Sequence, residues 1–155
     1  MVLAIEGCKS ALERKDLTHH EAVILSAGVV TLYASPFTEG CELGKLEEKY
    51  EKFINEDFKN THEAVIVYRN CFIAHRDLSN DEVKVHLNGI TAPFFTPIIT
   101  VLDDDRHKRH VPFMFLSSVQ FERIKALAEF QLKRLSEKAT KLFDQLVDKN
   151  KKDAR

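Results

Sequence analysis

Apolar residues recur at helical spacing from the first residues of the chain. Val2, Ile5, Cys8 and Leu12 predict an amphipathic helix ending near Asp16. Thr18 and Glu21 then make a capping box, in which the hydroxyl and the carboxylate each satisfy a backbone N–H of the first helical turn. The helix they start is apolar on most faces through Tyr33, which predicts a central place in a bundle, and Ser35-Pro36 ends it. Leu43, Leu46, Tyr50, Phe53 and Ile54 predict a third amphipathic helix after the loop Thr38-Glu39-Gly40. Asn60 and Glu63 read as the cap of a fourth, from about Thr61 to Arg76, with Ala64, Val65, Val67, Tyr68, Cys71 and Phe72 on its apolar face.

The period changes after Leu78. Val83, Val85 and Leu87 alternate, Asn88-Gly89 is a hairpin-turn signal, and Pro93, Pro97 and Pro112 oppose long helices. Residues 97–102 and 111–116 are placed to pair across the polar loop 103–110. Ser117 and Gln120 repeat the capping box. Phe121, Ile124, Ala128, Leu132, Leu135, Ala139, Leu142 and Leu146 then carry one helical stripe, longer than the average globular helix, toward a charged tail over 148–155 that is expected to fray. The expectation is a mainly α protein. It is one domain over 1–155, a bundle of four to five helices with a small β-rich insertion at about 79–116 and a long C-terminal helix.

Composition narrows the field. The 155 residues are 44% apolar and 30% charged, as in an ordinary globular domain. The formal net charge of -1 gives no global attraction for nucleic acid, so RNA binding would need a local basic patch. Cys8, Cys41 and Cys71 are an odd set without CxxC spacing, which points to buried thiols in a reducing compartment. The start lacks the apolar run of a signal peptide. The most apolar stretch, 22–34, falls short of the roughly 20 residues that span a bilayer. A cytoplasmic protein without a membrane segment is expected.

Candidate chemistry concentrates in Arg69-Asn70-Cys71-Phe72-Ile73-Ala74-His75-Arg76-Asp77. Metal-free RNA cleavage needs a group that moves protons near neutral pH, for which histidine is suited. It also needs a cation facing the phosphorane, and the planar fork of arginine pairs with phosphate oxygens. Arg69 and His75 lie about 120° apart around a helix, while Arg69 and Arg76 share a face to within about 20°. One such helix makes no pocket; a second copy across a two-fold axis would.

The string Arg69-Asn70-x4-His75, with Arg76-Asp77 after it, resembles the signature of HEPN domains of the prokaryotic abortive-infection and toxin–antitoxin type. The resemblance implies a helical homodimer acting as a metal-independent endoribonuclease, without cofactor. Some members bind or assemble without catalysis. Arg69 would stabilise the phosphate, Asn70 would assist, and His75 would serve as acid and base. It also implies an RNA substrate and a nucleotidyltransferase-type antitoxin as partner. Arg76 on the same helix, with Arg106, Lys108 and Arg109 in the polar loop, would touch RNA.

Plainer readings stand beside these. His75 and Arg76 near a helix end oppose its dipole, and Asp77 is placed to pair with Arg76. The chain would then be a non-catalytic dimerisation or adaptor protein built on its last helix. His107 and His110 beside Asp103-Asp104-Asp105 read as a solvated loop in preference to a metal site, because no third ligand is evident. His19-His20 reads as exposed, Cys71 as a core thiol, and Phe94-Phe95 and Phe113-Met114-Phe115 as packing residues.

Overall fold

The computed structural model describes residues 1–38, 45–70, 84–87, 90–93, 96–104 and 107–153; for 84–114, 152 and 153 it describes the backbone alone. Among these residues the protein is mainly helical, as expected. Its α-helices are α1 (Val2–Glu13), α2 (His19–Ala34), α3 (Glu56–Tyr68) and α4 (Ser118–Asp153). Four backbone strands pair as two antiparallel hairpins. β1 (Lys84–Leu87) runs against β2 (Ile90–Pro93), and β3 (Thr96–Asp104) against β4 (His107–Phe115). Of the insertion expected over 79–116, residues 79–83, 88–89, 94–95 and 105–106 lie outside the described residues.

α1 packs on α2 and α4, and α3 also meets both. The face that α1 buries is Ala4, Ile5, Cys8 and Ala11, while Val2, expected on that stripe, is exposed. The helix stops at Arg14, which is extended, two residues before the expected end. Gly7 sits where α1 crosses α2. A Cβ added there would stand 2.8 Å from Val29 Cγ2. The absence of a side chain is what lets the two helices approach.

The Thr18–Glu21 capping box is present in full. The Thr18 hydroxyl accepts from Glu21 N–H, and the Glu21 carboxylate accepts from Thr18 N–H at 2.9 Å. These bonds and Arg14 hold the Glu21 carboxyl down to about 2. α2 buries Ala22, Ser26, Val29, Val30, Tyr33 and Ala34 but leaves Ile24 exposed, so it is less enclosed than its composition predicts. A 3-10 turn, Ser35–Phe37, follows it, with the proline that ends the helix.

The third helix expected from Leu43 to Ile54 does not form in its described part, 45–54. A single 3-10 turn, Glu48–Glu51, takes its place, and Lys52 after it is extended. The reason lies in α4. Gln131 Nε2 donates to the Tyr50 carbonyl at 2.6 Å, and Arg134 donates to the carbonyls of Tyr50 and Lys49 at 3.3 and 2.8 Å. Those carbonyls would otherwise take N–H groups four residues on. Side chains of another element satisfy them, and the segment stays open while burying Tyr50; Ile54 is fully exposed.

α3 begins earlier than expected. Asn55, not Asn60, is its N-cap, accepting from Asp57 N–H at 2.8 Å and Phe58 N–H at 3.2 Å, and Glu56 and Asp57 favour the positive end of the helix dipole. α4 starts at the Ser117–Gln120 box as expected. It buries Phe121, Ile124, Leu127, Ala128 and Gln131. One hydrophobic cluster joins Phe121, Ile124, Leu127 and Ala128 to Ala4, Ile5, Cys8, Val29, Val30, Tyr33, Val65 and Tyr68. No helix among the described residues is long and apolar enough to cross a membrane.

Candidate functional site

The C-terminal end of α3 opens on a cleft of about 520 Å³. His62, Ile66, Arg69 and Asn70 line one wall. Their spacing of four, three and one residues puts all of them on one face of a helix. Phe37 and Thr38 from the turn after α2, and Lys45 and Glu51 from the open segment, line the other side. The helical backbone continues past Tyr68 through Arg69 and Asn70 in a wider, π-type turn. The Arg69 N–H points back at the carbonyls of Val65 and Ile66.

Of the residues singled out in the sequence, Arg69 and Asn70 are together here. The Arg69 guanidinium donates to Asn70 Oδ1 at 3.0 Å, and both side chains are half-buried. The bond fixes one edge of the fork and leaves other N–H donors to meet an anion. His75, Arg76, Asp77 and Arg106 lie outside the described residues. Lys108 and Arg109 are described as backbone of β4, in register with Asp103 and Leu102.

His62 was not singled out by its sequence. It is 4% exposed, and Tyr33, Phe37 and Phe53 surround its ring, with Phe37 edge-on at 4.7 Å between centroids. Its Nδ1 lies 2.9 Å from the Tyr33 hydroxyl. Burial pushes its pKa down to about 4; Glu51 opposes that shift and Lys45 adds to it. The imidazole is therefore neutral at pH 7. The signal that was present is its place seven residues before Arg69, hence on the same helix face.

The charges around His62 are balanced. Lys45 Nζ stands 2.9 Å from Glu51 Oε1, an ion pair whose geometry falls short of a hydrogen bond. Glu63 and Arg69 add one charge of each sign to the lining. Beyond the open segment, a second depression of about 420 Å³ gathers Lys49, Arg134, Lys138 and Lys141 beside Tyr50 and Glu137. Glu47 bridges Lys49 and Lys138, and these bonds hold its carboxyl down to about 2. Here the chain has a local basic surface that its net charge conceals.

Other candidates fall out plainly. Cys8 is fully buried, and burial pushes its thiol up to about 12, so it is a packing residue. His19 and His20 are exposed, and His19 stacks on Phe115 at 6.1 Å. Among the described residues no group of three His, Cys, Asp or Glu is placed to hold a metal ion. Comparison with protein-family models, curated proteins and solved structures finds no match for this chain.

Proposed function

We propose that the chain is a metal-independent endoribonuclease of HEPN type, acting as a homodimer in a toxin or phage-defence role. The observation that carries this reading is the paired Arg69 and Asn70 on the wall of an open cleft where α3 ends. In the reaction, the ribose 2′-oxygen attacks the adjacent phosphorus and gives its proton to a base. The bond from phosphorus to the 5′-oxygen breaks, and that oxygen takes up a proton. The products are a 2′,3′-cyclic phosphate and a 5′-hydroxyl. His75 moves the protons, Arg69 faces the charge that builds on the phosphorane, and Asn70 holds the guanidinium in place. Arg76, Arg106, Lys108 and Arg109 contact RNA phosphates, joined by the basic depression at Lys49, Arg134, Lys138 and Lys141. In this reading the β-rich segment, about 79–116, is an insertion in the helical bundle, and a nucleotidyltransferase-type antitoxin restrains the enzyme.

The test is cleavage of labelled single-stranded RNA and tRNA in EDTA by wild type, Arg69→Ala and His75→Ala. Cleavage to 2′,3′-cyclic phosphate ends is expected, and each variant is expected to lose roughly two to four orders of magnitude in rate while remaining helical. Activity that survives both substitutions would overturn the reading.

A second reading has its own observation. Leu142, Phe143 and Leu146 are exposed on the outer half of α4, at 48%, 66% and 60%. A helix with such an apolar face fits a non-catalytic dimerisation or adaptor protein. Absence of any cleavage, together with an oligomer that dissociates in Leu142→Glu/Leu146→Glu, would favour it.

A further inference from the structure

We infer that the outer half of α4 is an interface for a second copy of this chain, the two helices running antiparallel with Leu142 of each against Leu146 of the other. The inference goes beyond the ribonuclease reading and stands whether or not the chain cuts RNA. It names what covers the exposed end of α4.

The spacing identifies the occupant as a helix. Ala128, Leu132, Leu135, Ala139, Leu142 and Leu146 follow one another at steps of four, three, four, three and four residues. Apolar positions that recur every 3.5 residues form the seam along which two helices wind around each other. The inner end of this seam is already occupied. Ala128 is fully buried, and Leu132 and Leu135 pack, partly buried, on the chain's own core. The outer end is bare, with Ala139, Leu142 and Leu146 exposed and Phe143 exposed beside them. An outer half of this length is marginal as a lone helix in water, and a partner along the seam would hold it.

Direction follows from the bundle. The seam that is bare beyond Ala139 faces the chain's own core at Leu132 and Leu135. A copy running parallel would bring its bundle onto the same side and into the same space. An antiparallel copy lays its outer half beyond the end of this bundle and carries its own bundle at the far end. With the two-fold axis at Asp144, the two copies of Gln131 stand about 40 Å apart along the pair.

A second copy is singled out because the seam matches itself. About that axis Leu142 meets Leu146 of the second copy, and Leu146 meets its Leu142, as an isologous contact requires. Ala139 falls opposite Lys149, whose apolar stem can cross the small side chain while its ammonium reaches water. Phe143, flanking the seam, comes beside Phe143 of the second copy. Lys149 is the one charged residue on the seam from Ala139 to Lys149. Lys138 at the rim is paired with Glu47 of its own chain. The paired stretch is roughly 20 Å long, which places the interface at the small end of specific ones. A dissociation constant on the order of 10 μM is expected.

The test is sedimentation equilibrium of the full chain from 1 to 200 μM, with disulfide trapping for direction. A reversible dimer is expected. Leu142→Glu/Leu146→Glu is expected to weaken it at least tenfold, and Ile24→Glu, at an exposed position on α2, to leave it unchanged. For trapping, Cys41 and Cys71 are replaced by serine and the thiols are mildly oxidised. Leu142→Cys mixed with Leu146→Cys is expected to give a disulfide between the two variants, and Leu142→Cys alone to give none. Trapping uses no charged substitution, so it decides even where the double glutamate variant fails to fold. A monomer throughout the concentration range would overturn the pairing. A dimer that Leu142→Glu/Leu146→Glu leaves intact would also overturn it, while leaving the ribonuclease homodimer standing on another face. Ready cross-linking of Leu142→Cys to itself would overturn the antiparallel direction.

Discussion

Tyr33 Oη and His62 Nδ1 lie 2.9 Å apart, between residues 29 positions apart in the chain, and their rings meet edge to face. The pair ties α2 to α3 beside the cleft, and burial keeps the imidazole neutral. Its folded pKa is about 4 against an ordinary 6.5. As pH falls through 6.5 the unfolded chain binds the proton first, so stability falls with it. The contribution is complete above about 6.5 and gone below about 4, a difference of about 3 kcal/mol.

The pH window separates this effect from the carboxylates. Glu21 and Glu47 are held down to about 2 from 4.5, so their contributions fade below 4.5. Urea unfolding between pH 7.5 and 4.5 is expected to show a falling midpoint, with the slope reduced in His62→Gln. A midpoint flat across that window would contradict the neutral, buried histidine.

Ser26 offers a test of the joint between α2 and the link that leads from β4 into α4. Its hydroxyl donates to the Ala22 carbonyl at 2.6 Å and accepts from the Leu116 N–H at 2.9 Å, 90 residues away, and it is fully buried. Ser26→Ala would leave the Leu116 N–H without its partner, costing about 1–3 kcal/mol. Chemical denaturation of the variant measures this, and a loss below about 0.5 kcal/mol would show that Leu116 finds another acceptor.

Gly7→Ala would ordinarily favour a helix by about 1 kcal/mol. Here the new methyl would meet Val29 Cγ2 at 2.8 Å. The expected result is a net loss of about 1–3 kcal/mol. Pairing it with Val29→Ala is expected to recover part of the loss in a double-mutant cycle. Additive effects would place the strain elsewhere.

What the sequence revealed, and what it hid, divides by distance along the chain. The boxes at Thr18–Glu21 and Ser117–Gln120 are local, and their patterns mark the helix starts to within a residue. The helical repeat at Leu46, Tyr50 and Phe53 misled because the deciding atoms belong to Gln131 and Arg134, more than 80 positions away. Asn60 with Glu63 read as the cap of α3, and nothing in the neighbouring residues showed that Asn55 takes that place. The pairing of Arg69 with Asn70 was readable as adjacent residues. The role of His62 was not, since Tyr33, Phe37 and Phe53 give it meaning only once folded.

The 36 residues of α4 span about 54 Å, three times the length of α1 beside it. Gln131 is the last fully buried position, and after Lys138 every residue through Lys151 except Val147 is exposed. That outer half is a helix held mainly by its own backbone bonds, and isolated helices of about 12–15 residues are marginal in water. Deuterium uptake is therefore expected to climb along it, from slow amides near Ile124 to amides beyond Leu142 that exchange within seconds to minutes. The gradient doubles as a reporter. Whatever settles on Leu142, Phe143 and Leu146 would slow those amides and announce itself before its identity was known.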